Sequence, residues 1–136
     1  MTAINMNDTQ AIVGIVEHYI EGARSERSAE MKQVFNRQAT VFGYAGNDLF
    51  AGSISELYDW HDANGPAQNL SWQITSIDVV GTVAVVRIEI DDWTGLRFTD
   101  FLSMLKVTGE WQVVNKVFHL HALNSESSAL PSLVPE

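Results

Sequence analysis

The chain contains no cysteine. That excludes a disulfide framework, a thiolate metal site and a cysteine nucleophile, and it leaves the redox compartment open. Basic residues are scarce: eight Lys and Arg stand against 17 Asp and Glu, a formal charge of −9 with a pI near 4.7. A scattered set of so few cations excludes nucleic acid and anionic membrane as partners, because both require clustered Lys and Arg. No apolar run approaches the 18 residues of a membrane span. The opening MTAINMNDTQ lacks a basic region followed by an apolar one, so no signal peptide is expected. The resulting expectation is a soluble, cytoplasmic protein. No Gly-rich phosphate loop or nucleophile elbow occurs. His119 and His121 share a strand face but have no third ligand at metal spacing, so neither a metal nor a cofactor is expected.

What the chain does have is β-structure. The stretch Leu96 to His121, LRFTDFLSMLKVTGEWQVVNKVFHLH, reads as two long strands around Thr108-Gly109. From Trp72 onward, Gly81-Thr82, Thr94-Gly95 and Thr108-Gly109 punctuate the text at similar intervals, as two-residue hairpin turns do. Propagating that register pairs Val79 with Ala84 and Ile77 with Val86. It pairs Ile90 with Thr99, Ile88 with Phe101 and Val86 with Ser103. It also pairs Leu105 with Gln112, Phe101 with Lys116 and Thr99 with Phe118. One face then collects Ile77, Val79, Val86, Ile88, Ile90, Phe101, Leu105, Val114 and Phe118. The other collects Asp78, Arg87, Glu89, Asp91, Asp100, Trp111, Asn115 and His119. A one-residue slip would exchange these sets.

Before the strands, Asp8 or Thr9 can cap a helix to about Arg24, with Ile12, Val16, Tyr19, Ile20 and Ala23 on one stripe. A short helix is expected over 28–36, a strand over 39–44, and glycine turns at Gly43, Gly46 and Gly52. Ser53 and Glu56 have capping-box spacing ahead of a third helix, SISELYDWHDAN. His18 and His61 lie on helices and are expected in solvent. Residues 1–123 read as one domain, and 124–136, NSESSALPSLVPE, as an extended or disordered tail. Amphipathic helices beside a curved sheet must bury their stripes on its apolar face. The fold class is therefore α+β: a cone of about four long antiparallel strands, with short N-terminal strands, packed on three helices.

The order of these segments resembles the NTF2-like superfamily, of the SnoaL-like kind. Within it, SIDVVGTVAVVR and FTDF…LKVTGEW…NKVFH resemble the group named putative lumazine-binding proteins. The likeness covers about residues 10 to 121. It implies a cystatin-like α+β roll, a pocket between helices and concave sheet, and a homodimer through the convex sheet face. Members include isomerases, dehydratases, cyclases and non-catalytic binders, so the fold alone does not select a function. Against the ketosteroid isomerases, Tyr19 matches the oxyanion tyrosine, the catalytic base falls at Gly43 and the second acid near Ser103. Two of three catalytic groups are thus absent at the matched positions.

Lys116 is the sharpest candidate. An ammonium between Val114 and Phe118 on an apolar face must be paired or reach water. It either serves a pocket, binding an anion or acting as a base, or it snorkels to the sheet edge. Tyr19 needs a partner for a buried hydroxyl: a ligand carbonyl, or Lys116, Ser103 or Trp60. Asp100 and His119, with Arg87 and Asn115, form either an acid–base set or a polar network at a dimer interface. The candidate ligand-binding set is Tyr19, Trp60, Phe101, Ser103, Lys116 and Phe118, and the catalytic candidates are Lys116, Tyr19, Asp100 and His119. The expected function is small-molecule binding in the cone. The alternative is isomerase, dehydratase or cyclase chemistry on a small cyclic carbonyl compound.

Overall fold

A computed structural model describes residues 2–26 and 28–121. The tail expected from Asn124 lies outside the described residues. The elements are α1 (Thr2–Arg24), α2 (Ala29–Lys32), β1 (Phe35–Ala45), β2 (Asp48–Ser53), α3 (Ser55–Asn64), β3 (Ser71–Val80), β4 (Val83–Trp93), β5 (Leu96–Val107) and β6 (Glu110–Leu120). The six strands form one curved, open sheet in the order β2-β1-β6-β5-β4-β3. Among the described residues only the β1–β6 pairing is parallel; the others are antiparallel. The helices cover one face, and the class is α+β as expected.

The expected stripe of α1 is the centre of the core: Ile12, Val16, Tyr19, Ile20 and Ala23 are all fully buried. Burial of a large aliphatic side chain contributes roughly 1.5–3 kcal/mol, so this stripe holds α1 to the sheet. The helix begins earlier than the expected cap. Asp8 lies inside it, buried, accepting bonds from Lys106 Nζ at 2.8 Å and Trp111 Nε1 at 3.1 Å. The second helix is one turn, not nine residues. Val113 N–H takes the Val34 carbonyl at 2.9 Å, so sheet pairing claims the backbone that a longer helix would need.

β2 is an edge strand where only turns were expected. It folds back on β1 through Gly46-Asn47, with Ala45 opposite Asp48 and Gly46 at φ 67°. The capping box does not form. Ser53 Oγ instead accepts the Ser55 amide at 3.2 Å, and α3 starts behind Ile54 without a side-chain cap. His61 is fully buried rather than solvated, with Nε2 3.1 Å from the Ser25 carbonyl.

All three two-residue hairpins are present: Val80 pairs with Val83, Trp93 with Leu96 and Val107 with Glu110. Thr94 and Thr108 accept positive φ, 51° and 45°, as the first residue of each Thr-Gly turn. Past two turns, however, the register changes. β4 carries an extra residue between Ile90 and Trp93, with Asp92 at φ 61°. β6 carries one between Val113 and Asn115. Ile90 therefore faces Phe98, Ile88 faces Asp100, and Leu102 faces Lys116. Each bulge flips the side chains beyond it. Asp100 and Trp111 turn inward. Phe101 and Leu105 turn outward, at 46% and 37% exposure.

Candidate functional site

Three polar side chains meet beneath α1. Tyr19 comes from the buried stripe of α1, Asp100 from β5 and Lys116 from β6. On the inner sheet face, Asp100 stands in the row with Ile88 and Phe118, and Lys116 in the next row with Leu102 and Val41. Lys116 Nζ donates to the Tyr19 hydroxyl at 2.8 Å, and that hydroxyl donates to Asp100 Oδ2 at 2.7 Å. Lys116 Nζ itself is 3.6 Å from the same carboxylate oxygen. Tyr19 and Asp100 are fully buried and Lys116 is 4% exposed. Lys116 is therefore buried and paired, and does not snorkel to the sheet edge. Aromatic rings complete its surroundings: Nζ lies 4.8 Å from the Trp93 centroid, 5.4 Å from Tyr19 and 5.5 Å from Phe118. Electron-rich ring faces favour a cation there.

Burial sets the ionisation. Loss of solvent, reinforced by the Asp100 charge, pushes the Tyr19 phenol well above its ordinary value, so it remains a hydroxyl. Loss of solvent also lowers the Lys116 ammonium, while Asp100 pulls the other way. Two buried atoms here have no partner among the described residues: Asp100 Oδ1 and Trp93 Nε1.

Lys116 forms part of the wall of a hollow of about 70 Å³. Around it stand Val41, Phe50, Trp60, Trp93, Phe98 and Phe118, with Leu57, Leu96 and Leu120. Lys116 is the only ionisable side chain in that lining among the described residues. Tyr19 and Asp100 sit behind it, reaching the hollow through its ammonium. Gly43 makes room for one wall. A Cβ at this position would come within 2.6 Å of the Phe118 ring. An aspartate base at position 43 is therefore sterically excluded, and the aromatic ring occupies that space.

Of the residues expected to bind a ligand, Trp60, Lys116 and Phe118 surround the hollow and Tyr19 supports Lys116. Phe101 and Ser103 do not belong with them; the bulges place both on the outer face, beside Val117 and Asn115. Asp100 makes the opposite move and joins Tyr19, so an inward-facing acid is present after all, three residues from where the isomerase match put it. His119 stays on the outer face, exposed, its ring 4.9 Å from His121. There Thr99 Oγ1 donates to Glu89 Oε1 at 2.6 Å and lies 2.8 Å from His121 Nε2. Asp100 and His119 are thus on opposite sides of the sheet and cannot act together. Trp93 was not singled out by the sequence. The available signal was an aromatic closing an alternating strand just before Thr94-Gly95.

A family profile described as "Putative lumazine-binding" matches residues 7–119. Aldolase FrzH of Cladobotryum sp is 29% identical over 117 residues, covering 85% of this chain and 94% of that protein. Two solved structures described as NTF2-like proteins of unknown function superimpose closely. One, from Methylobacillus flagellatus KT, is 48% identical with a TM-score of 0.83, over 85% of this chain and 94% of that one. The other, from Shewanella baltica OS155, is 41% identical with a TM-score of 0.82, over 87% and 97%.

Proposed function

Because the chain belongs to the family described as "Putative lumazine-binding", within the NTF2-like superfamily, we propose that it binds a small molecule in this hollow through a carbonyl or carboxylate group. The observation that carries this reading is Lys116, a buried ammonium at the wall of an otherwise apolar space. Ligand sites are mostly apolar, with a few placed polar groups that fix orientation. The polar group offered here is a donor, Lys116 Nζ, beside Trp93, whose Nε1–H has no partner among the described residues. It suits a ligand oxygen. Size restricts the ligand further. About 70 Å³ is less than the roughly 150 Å³ of a dry cavity known to hold benzene. A carbonyl fragment fits as the side chains stand; a bicyclic ring requires Phe50, Trp60 or Phe118 to swing aside.

Ligand binding to the folded state raises the melting temperature by linkage. A panel of small ketones, aldehydes and carboxylates is expected to contain compounds that raise it by several degrees. The Asp100→Asn/Lys116→Met double variant, which leaves no buried lone charge, is expected to lose that response. A folded double variant that responds like the parent chain removes Lys116 from the site.

A second reading, acid–base catalysis on a small cyclic carbonyl compound, is favoured by the one-way chain of hydrogen bonds from Lys116 through Tyr19 to Asp100. The name of the aldolase relative points the same way. Turnover abolished by Asp100→Asn in a folded protein would select it over simple binding. For the whole protein we propose a cytoplasmic homodimer joined through the outer sheet face, where Phe42, Val85, Phe101 and Val117 are 43–46% exposed.

A further inference from the structure

We propose that Lys116 forms a covalent imine with a small aldehyde or ketone held in the hollow, with Tyr19 and Asp100 as its proton relay. This rests on reading the hollow as a small-molecule pocket. It goes beyond that reading by assigning the ammonium a bond-forming role instead of a purely electrostatic one.

The geometry points to this in three ways. Among the described residues Lys116 is the one amine that reaches the space, and aromatic rings keep bulk water from it. Its proton has a defined exit: the two hydrogen bonds, 2.8 and 2.7 Å, run in a single direction from ammonium to phenol to carboxylate. A shift of one proton along each bond leaves a neutral amine, an intact phenol and a carboxylic acid. Burial of the ammonium, which lowers its proton affinity, assists the transfer.

The chemistry balances with no added reagent. The free pair on Nζ attacks the carbonyl carbon, and the C=O π pair moves to oxygen. A proton passes from nitrogen to that oxygen, giving a neutral carbinolamine. Asp100 then returns its proton through Tyr19 to Nζ, which passes a proton to the carbinolamine hydroxyl; the C–O bond breaks, and the hydroxyl leaves as water. The nitrogen pair closes the C=N bond. The sum is one ammonium and one carbonyl converted to one iminium and one water, with Asp100 again a carboxylate. The substrate class is a short aldehyde or ketone, because the space beside Nζ is small.

Borohydride-type trapping tests this on the full chain. The protein is incubated with acetaldehyde or acetone and cyanoborohydride at neutral pH, then digested and mapped by mass spectrometry. Lys32 and Lys106 serve as internal standards. Accessibility alone ranks Lys116 last, since it is buried while Lys32 is exposed. The proposal expects it first. Tyr19→Phe, which keeps the ring and breaks the relay, is expected to leave the half-saturating probe concentration unchanged. Its limiting trapping rate should fall by about a hundredfold, the usual scale for loss of general acid–base assistance. Labelling of Lys32 and Lys106 with Lys116 untouched overturns the imine. If the same probes still raise the melting temperature in a Lys116-dependent way, the pocket reading survives that result. If they do not, both fall together.

Discussion

At the scale of single residues, the Lys116–Asp100 pair is poorly explained as a source of stability. At 3.6 Å and an effective dielectric of 20 the attraction is about 5 kcal/mol. Removing two ions from water costs several kcal/mol each, so the net contribution is near zero. Stability does not account for the pair; its proposed role at the hollow does. Removing one partner is another matter. Lys116→Met leaves a buried, uncompensated carboxylate and is expected to cost about 3–5 kcal/mol. Adding Asp100→Asn replaces that charge with an amide that Tyr19 can still address, and stability is expected to recover by more than half. Urea titration of both variants measures the difference. A double variant no more stable than the single one would mean that the cost of Lys116→Met does not come from a lone buried carboxylate.

At the scale of elements, the turns were legible and the bulges were not. Gly81, Gly95 and Gly109 mark three hairpins because positive φ favours glycine. A bulge adds one residue with no such marker. Val113-Val114 satisfies an apolar face in either register, so nothing at the sequence level reveals the extra residue in β6. Asp91-Asp92 gave a faint sign, since aspartate tolerates the left-handed conformation that Asp92 adopts. The site was readable to the same depth. Lys116, Tyr19, Trp60 and Phe118 stand out by residue type in an apolar pattern. Asp100 was assigned to the wrong side because the β4 bulge lies between it and the strand from which its face was counted; for Lys116 and Phe118 the second bulge, in β6, restores the expected face. β2 was hidden by Gly52, which belongs to the edge strand itself, and by Gly46 in the turn before it.

Polar ties between elements also set the acid response. Hydrogen bonds from Lys106 and Trp111 hold the Asp8 carboxyl below its ordinary value, joining α1 to β5 and β6. The Thr99 hydroxyl does the same for Glu89, joining β4 to β5. Desolvation, then Arg97, lowers His121. In all three the unfolded chain binds more protons across the window between the two values. Stability therefore falls with pH, first as His121 is forced toward protonation below about 6.5 and then as the carboxylates titrate near and below 4. Melting temperatures measured from pH 7 to pH 3 should decline in those two stages. Asp8→Asn should flatten the lower stage while lowering the temperature at neutral pH. A decline of unchanged depth in Asp8→Asn would assign the acid response elsewhere.

At the scale of the molecule, the same bulges that misled the register shape the protein. They bend the sheet around α1 and α3 and leave the hollow where β1 and α3 approach the far ends of β4, β5 and β6. They also give the sheet an outer face with an apolar row, Phe42, Val117 and Phe101, flanked by Val85 and Leu105. Exposed apolar surface of that continuity is uncommon on a monomer. The proposed partner is a second copy, since the row can lie on itself about a two-fold axis. Each chain carries −9, so long-range repulsion opposes the pairing, and salt screens it over about 8 Å at physiological strength. Dimerisation is therefore expected to strengthen with added salt, and Phe101→Glu is expected to yield a monomer by light scattering. Phe101 points away from Lys116, so the monomer should keep its ligand-induced melting shift. A variant that stays dimeric places the interface on another surface, whereas a monomer that loses its ligand response makes the hollow dependent on pairing.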